Sequence, residues 1–243
     1  MTELVKTEES LPKLGSGQMF DQIAGRYDFV NRVLSLGLDK RWRRRVIAEL
    51  QLAPNATVLD VATGTGDLAI ELAKAVLAGK VIGVDPSAEM LKVAAMKLAK
   101  KQLEQRVELV TGDCQALPQA SCSVDAATIS FGIRNVPDRA LGLRELARVV
   151  RPGGRVAVLE LGEPKKTLFG RVAAFHSHHM VPRLGALLSG RREYKYLQKS
   201  VAAFPSNEDF AQLMRDNGLD VQQVIPMTFG VCTLFIGTPK EMS

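Results

Sequence analysis

The stretch Val58–Asp85 reads VLDVATGTGDLAIELAKAVLAGKVIGVD, and its reading decides the fold. Val58 to Ala62 is too short and too β-branched for a helix and is bounded by turn residues, which predicts a buried parallel strand. Thr63 to Gly66 then turns sharply, with Gly64 and Gly66 letting the backbone approach a ligand. From Asp67 the apolar positions Leu68, Ile70, Leu72, Ala73 and Val76 recur at helical spacing. Val81 to Val84 is a second strand with Asp85 at its carboxyl end. This is a βαβ unit, and such units bind ligands outside the carboxyl ends of their strands.

Working outward, the alternation continues. A helix is expected over Pro86–Lys101, strands over Val107–Thr111 and Ala126–Phe131, and a helix over Asp138–Val150 stopped by Pro152-Gly153-Gly154. A fifth strand follows at Arg155–Glu160 and a helix at Asn207–Gly218. Strands Val221–Pro226 and Gly230–Thr238 are joined by so short a turn that they must be antiparallel. The pattern predicts an α/β, Rossmann-like, mostly parallel sheet of seven strands with a reversed edge. Upstream, residues 1–17 read as a flexible tail. Residues 18–54 read as a lobe of two or three short helices over the site, and 55–243 as the main domain with a lid-like insert near 164–204.

Which ligand the turn takes depends on its acids. Gly64, Gly66 and Ala69 satisfy G-x-G-x-x-G/A, and Asp85 follows about 20 residues on, as a ribose-binding acid should. Asp60 ends the first strand, however, and Asp67 sits at the helix N-terminus, where a pyrophosphate would otherwise lie. A carboxylate caps a helix well but is a poor neighbour for phosphates. S-adenosylmethionine carries a sulfonium and an ammonium and no phosphate, so the acids favour it over a nicotinamide or flavin. Asp60, Asp85, Asp113, Ser130 and Glu160 all fall at strand ends along one rim. Asp113 is placed to accept from an adenine amino group, and the Cys114 N–H to meet a ring nitrogen.

Composition bounds the rest. The 243 residues, 46% hydrophobic and 24% charged, suit one sizeable soluble domain with an extra lobe. No apolar run reaches the ~20 residues of a membrane span, and the N-terminus lacks a signal-peptide core. Cys114, Cys122 and Cys232 show no metal or redox spacing and read as small buried hydrophobes in a cytoplasmic protein. The net charge of +6 suits an anionic partner. Much of it lies in Lys40, Arg41, Arg43, Arg44 and Arg45 around the only tryptophan, Trp42. That segment reads either as a solvated helix face with Trp42, Val46 and Leu50 inward, or as a peripheral contact with an anionic membrane surface.

FDQIAGRYDFVNRVLSLGLDKRW (Phe20–Trp42), the VLDVATGTG turn, ISFGIRNVPD (Ile129–Asp138), LARVVRPGGRVAVLELGEP (Leu146–Pro164) and YKYLQKSVAAFP (Tyr194–Pro205) closely resemble the ubiquinone/menaquinone biosynthesis C-methyltransferases. The resemblance runs from about Met19 to Lys240. It implies a class I methyltransferase fold that methylates a ring carbon of a polyprenylated quinol with S-adenosylmethionine. Demethylmenaquinol is the first candidate substrate and a ubiquinone precursor the second. It also implies cofactor contacts at Thr65, Asp85, Asp113, Cys114 and Ser130, to which Asp60, Gly64 and Gly66 are added by the reading of the turn. Two positions depart from the family pattern: Asp39 stands where the first signature has His, and Gly162 where the second has Ser.

Methyl transfer from a sulfonium is an in-line displacement, so catalysis is positioning plus activation of the nucleophile. A quinol carbon attacks well once a neighbouring hydroxyl is deprotonated. Arg134 and Asn135 are placed to hold that developing oxyanion, with a bound water, Asp28 or Asp39 as candidate bases. Tyr27, Asn31, Tyr194 and Tyr196 are candidate substrate contacts. Phe175, Met180, Val181, Leu184, Leu187 and Leu188 offer either an apolar lid for a prenyl tail or ordinary packing. His176, His178 and His179 have only loosely metal-compatible spacing, and no cysteine or acid cluster completes a site, so no metal is expected. A nicotinamide-dependent reductase survives on the glycine turn alone. A nucleic-acid methyltransferase survives on the charge, but Ser130-Phe131-Gly132-Ile133 lacks the (Asp/Asn)-Pro-Pro-aromatic motif such enzymes carry, so no nucleic acid is expected. The oligomeric state is left open.

Overall fold

A computed structural model describes residues 17–162 and 191–240. The chain order is α1 (Gly17–Leu34), α2 (Asp39–Leu50), β1 (Thr57–Val61), α3 (Asp67–Ala75), β2 (Lys80–Asp85), α4 (Ala88–Lys101), β3 (Val107–Thr111) and β4 (Val124–Ser130). A 3-10 turn (Ile133–Asn135) leads to α5 (Arg139–Val149) and β5 (Val150–Leu161). Then come α6 (Arg191–Ala202), α7 (Asn207–Asp216), β6 (Leu219–Met227) and β7 (Cys232–Pro239). The expected tail up to Ser16, the insert residues 163–190 with the three histidines, and the side chain of Tyr194 lie outside the described residues.

The seven strands form one sheet in the order β3-β2-β1-β4-β5-β7-β6. The pairs from β3 to β5 are parallel. β7 is antiparallel to both β5 and β6, so the reversed pair completes the sheet on that side, as the short Thr228–Gly230 turn requires. Strand centres are apolar on both faces, because helices cover both. Val58, Ala126, Ala157 and Leu234 pack into one layer, Leu59, Ile129, Val158 and Phe235 into the other.

Two expectations are corrected. The lobe consists of two helices, within the expected two or three, and the first is the 18-residue α1, whose Met19, Ile23, Tyr27, Val30 and Leu34 recur along one face. Pro152-Gly153-Gly154 does not stop α5. The helix ends at Val149, and β5 begins at Val150 opposite Val124, then bulges before Arg155 pairs with Ala126. Pro152 and the left-handed Gly153 (φ 78°) fit within that bulge, where no ladder bond is needed. Cys114 and Cys232 are buried as expected, but Cys122 is exposed, on a turn with φ 54°.

The α2 segment resolves in favour of the helix-face reading. Trp42, Val46 and Leu50 are buried, and Trp42 Nε1 donates to Thr228 Oγ1 at 2.9 Å. Burying each of these side chains contributes about 1.5–3 kcal/mol. Trp42 is therefore not available to a membrane, and Arg43 is drawn into ion pairs below; Lys40, Arg41, Arg44 and Arg45 remain exposed. Among the described residues no helix is long and apolar enough to cross a membrane.

Candidate active site

The strand order reverses between the parallel strands β1 and β4, and in such sheets the ligand crevice lies there, outside the carboxyl ends. Both strands end in a left-handed residue, Ala62 (φ 52°) and Phe131 (φ 58°). Gly132 is needed beside them, since a Cβ there would lie 2.5 Å from the Ala62 Cβ. Such strained backbone is typical of binding sites.

The glycine turn crosses the floor of this crevice. Gly64 (φ 56°) and Gly66 (φ 78°) adopt the conformation the sequence demanded of them. Asp85 Oδ2 accepts from the Gly64 N–H at 2.8 Å and its Oδ1 from the Ser87 N–H at 2.9 Å, so the acid at the end of β2 holds the turn directly. Asp60 is paired with Thr128 across the parallel β1–β4 register. Its two oxygens accept from Thr128 Oγ1 (2.6 Å) and Thr63 Oγ1 (2.7 Å). Burial pushes the Asp60 carboxyl up to about 6 against those two hydroxyls, and it also raises Asp85 against its two backbone donors.

Thr65 and Asp67, on the far side of the turn, meet the first two helices. Thr65 Oγ1 donates to Asp28 of α1. Lys97 Nζ of α4 donates to Asp28 Oδ2 (2.7 Å), to Thr65 Oγ1 (3.2 Å) and to Asp67. Arg32 and Arg43 hold Asp39 at 2.7 and 2.5 Å and approach Asp67 at 3.6 and 3.5 Å. Burial would raise the Asp67 carboxyl, but Arg43, Lys97 and Arg32 together hold it below the usual range. The sequence analysis missed Arg32 and Lys97 here. Only the i,i+4 spacing of Asp39 and Arg43 was visible in advance. Asp39, a candidate base, is buried, with its two carboxylate oxygens taken by the guanidiniums of Arg32 and Arg43.

The remaining rim residues stand apart. Asp113 is exposed and accepts from the Gln115 N–H at 2.8 Å, while Cys114 is buried, its thiol pushed up to about 12 by burial with Asp113 and Glu145 adding to it. Ser130 lies three strands away at the end of β4. Its Oγ is buried and has no hydrogen-bond partner among the described residues.

Beside the crevice a cleft partly open to solvent is lined by Ile23, Arg26, Tyr27, Val30 and Asn31 of α1 with Arg134 and Tyr196. Four of the expected residues thus share one space. Tyr196 OH donates to Asn135 Oδ1 at 2.8 Å, bringing the fifth against it. Burial raises the phenol of Tyr27, partly offset by the Arg134 guanidinium and a hydrogen bond with Asn31. Burial also raises Tyr196, again opposed by Arg134. Arg134 is itself buried, paired with Glu160 at 2.6 Å, and its Nε has no partner among the described residues. The site therefore sets the guanidiniums of Arg134 and Arg26, two phenols and an amide in a cleft otherwise lined by apolar residues. That donor set suits a flat ring bearing an anionic oxygen.

Comparison with known proteins agrees with this geometry. The model of the ubiE/COQ5 methyltransferase family matches residues 6–239. A demethylmenaquinone methyltransferase of Deinococcus radiodurans is 44% identical over 96% of this chain and 100% of its own. A ubiquinone/menaquinone biosynthesis C-methyltransferase UbiE of Geotalea daltonii is 42% identical over 90% of this chain and 94% of its own. Among solved structures, an S-adenosylmethionine-dependent methyltransferase of Methanococcus maripaludis superposes with a TM-score of 0.67 at 17% identity, covering 100% of this chain and 99% of that one. One from Aquifex aeolicus gives 0.60 at 22% identity over 80% and 88%. The fold is shared with these methyltransferases, and the chain is a member of the ubiE/COQ5 methyltransferase family.

Proposed function

We propose that this enzyme transfers a methyl group from S-adenosylmethionine to a ring carbon of a polyprenylated quinol, demethylmenaquinol in menaquinone biosynthesis. The observation that carries the reading is the cleft holding Tyr27, Asn31, Arg134 and Tyr196, lined by a helix whose Asp28 is hydrogen-bonded to Thr65 of the glycine turn. A benzoquinol precursor of ubiquinone is the second substrate, because relatives such as that of G. daltonii are named for both pathways. The donor occupies the crevice, its ribose on Asp85, its adenine by Asp113 and Cys114, and its cationic end toward Asp60. Helices α1 and α2 act as the cover, tied down through Asp28, Thr65 and Asp67. Arg134 and Asn135 hold the quinol oxygen while the neighbouring carbon attacks the methyl group in line. Deleting the gene and weighing the extracted quinones tests this: accumulation of a quinone one CH2 lighter than the parent strain's supports it, and an unchanged quinone pool refutes it.

Asp60 links donor binding to pH. Its folded pKa of about 6 lies above the ordinary carboxylate value of 3.8. The folded state therefore binds the proton more tightly, and the associated stability is present below about pH 4 and lost as pH rises to about 6. A donor ammonium close by, added to the field of Arg43 and opposed by that of Asp85, favours the carboxylate and expels that proton. Affinity for S-adenosylmethionine is expected to weaken by up to about tenfold per unit as pH falls below 6, the slope of one proton. Calorimetry from pH 7 to 5 checks this. Asp60→Asn should flatten the dependence, and a flat wild-type profile contradicts it.

The tail of such a substrate lies in a bilayer, so the enzyme works at a membrane surface. With Trp42 buried, the contact surface is the exposed Lys40, Arg41, Arg44 and Arg45, with the exposed Phe29 and Leu36 on the same two-helix segment. Each charge near an anionic leaflet contributes about 1 kcal/mol. Weak, salt-sensitive cosedimentation with anionic vesicles is expected. It should be lost when Lys40, Arg41 and Arg44 are changed to Glu, while Arg43 is left in its ion pairs. Equal pelleting with neutral vesicles, or indifference to the charge reversal, contradicts it.

A further inference from the structure

We infer that Glu160 is the positioning residue for Arg134, an inference that rests on the reading of Arg134 as the group holding the quinol oxygen. Glu160 lies one residue before the end of β5, on a neighbouring strand end to the 3-10 turn that carries Arg134. A single carboxylate grips that residue twice: Oε1 accepts from the guanidinium Nη1 at 2.6 Å, and Oε2 from the Arg134 backbone N–H at 3.2 Å. Oε1 also accepts from the Leu161 N–H at 2.8 Å, which anchors the carboxylate to its own strand. Nη1 has a second acceptor in the Phe131 carbonyl at 2.6 Å. Main chain and side chain of Arg134 are thus both fixed, and the end of the guanidinium that is fixed is not the end left over. Nε remains buried without a partner among the described residues, a costly state unless a ligand completes it.

The same geometry excludes a direct role for Glu160. Its side chain is 0% exposed and that of Arg134 7%, so the carboxylate touches the arginine and not the substrate. It is therefore no candidate for the base. Its work is to keep a desolvated cation ionised and aimed. Burial disfavours the charged guanidinium, and the Glu160 carboxylate together with Tyr27 and Tyr196 more than offsets that, holding its pKa above the ordinary value.

The test uses the full chain with S-adenosylmethionine and a short-tailed demethylmenaquinol. Glu160→Gln keeps the shape but turns an NH2 group toward either Nη1 or the backbone N–H, so one of the two grips must fail. It is expected to lower kcat about ten- to a hundredfold, with the dissociation constant of the donor within about twofold of wild type. Combined with Arg134→Ala it should cost no further rate, because a residue acting only through Arg134 has nothing left to position. A general structural defect would instead multiply with the arginine loss. Should Glu160→Gln not fold, Glu160→Asp, which keeps the charge and withdraws it by one methylene, is read by the same criteria. A full rate in Glu160→Gln, or losses that multiply, overturns the inference. Full activity in Arg134→Ala alone overturns the reading of Arg134 beneath it.

Discussion

Arg134→Ala is expected to lower kcat by about a hundred- to a thousandfold, the usual cost of removing one preorganised donor to a developing oxyanion. The guanidinium lies in a cleft with Tyr27, Asn31 and Tyr196, where low polarity strengthens each charge-assisted bond. The quinol oxygen gains negative charge as its carbon becomes nucleophilic, so the interaction grows toward the transition state rather than serving ground-state binding. The donor's dissociation constant should stay near wild type, since its proposed contacts Asp60, Asp85, Asp113 and Cys114 lie at the ends of β1, β2 and β3. Removing Arg134 also leaves the Glu160 carboxylate buried without its cation, which can cost several kcal/mol of stability. Circular dichroism and thermal melting must therefore accompany the kinetics. Full activity in a folded variant would show that the oxyanion is held elsewhere.

The second large effect is expected from Asp85→Ala, which should weaken S-adenosylmethionine by roughly ten- to a hundredfold or more. Two losses add in it. The ribose hydroxyls lose a carboxylate acceptor, and each charge-assisted bond of this kind contributes about 1.5–3 kcal/mol. The Gly64 N–H also loses its 2.8 Å acceptor, so the turn itself slackens. Calorimetry with the methyl donor, and separately with NADH, measures the outcome. Wild-type affinity in the variant contradicts the placement of the ribose.

What could be read in advance was what is local. The Val58–Asp85 unit announces itself through short-range pattern, with β-branched strands, glycines at left-handed positions and a helical run between them, and β3 falls within Val107–Thr111 as expected. Tyr27, Arg134 and Tyr196 meet in one cleft because the motifs carrying them are specific. What escaped depends on pairing across the fold. Nothing near Pro152 shows that Val150 will find Val124, so a strand start was read as a helix end. Asp28, Thr65 and Lys97 are separated by more than thirty residues at each step, and their bonding follows from the packing of α1 on α4. Trp42 sits at the same i,i+4 spacing as Val46 and Leu50, and only the sheet beneath decides that this face is inward.

The most direct measurement is a methyl-transfer assay with S-adenosylmethionine tritiated at the methyl group and demethylmenaquinol as acceptor. The account predicts label in the quinone product, located on a ring carbon by mass spectrometry, and near-complete loss of transfer in Arg134→Ala. Label in no quinone product, or label on a quinone oxygen, would contradict it.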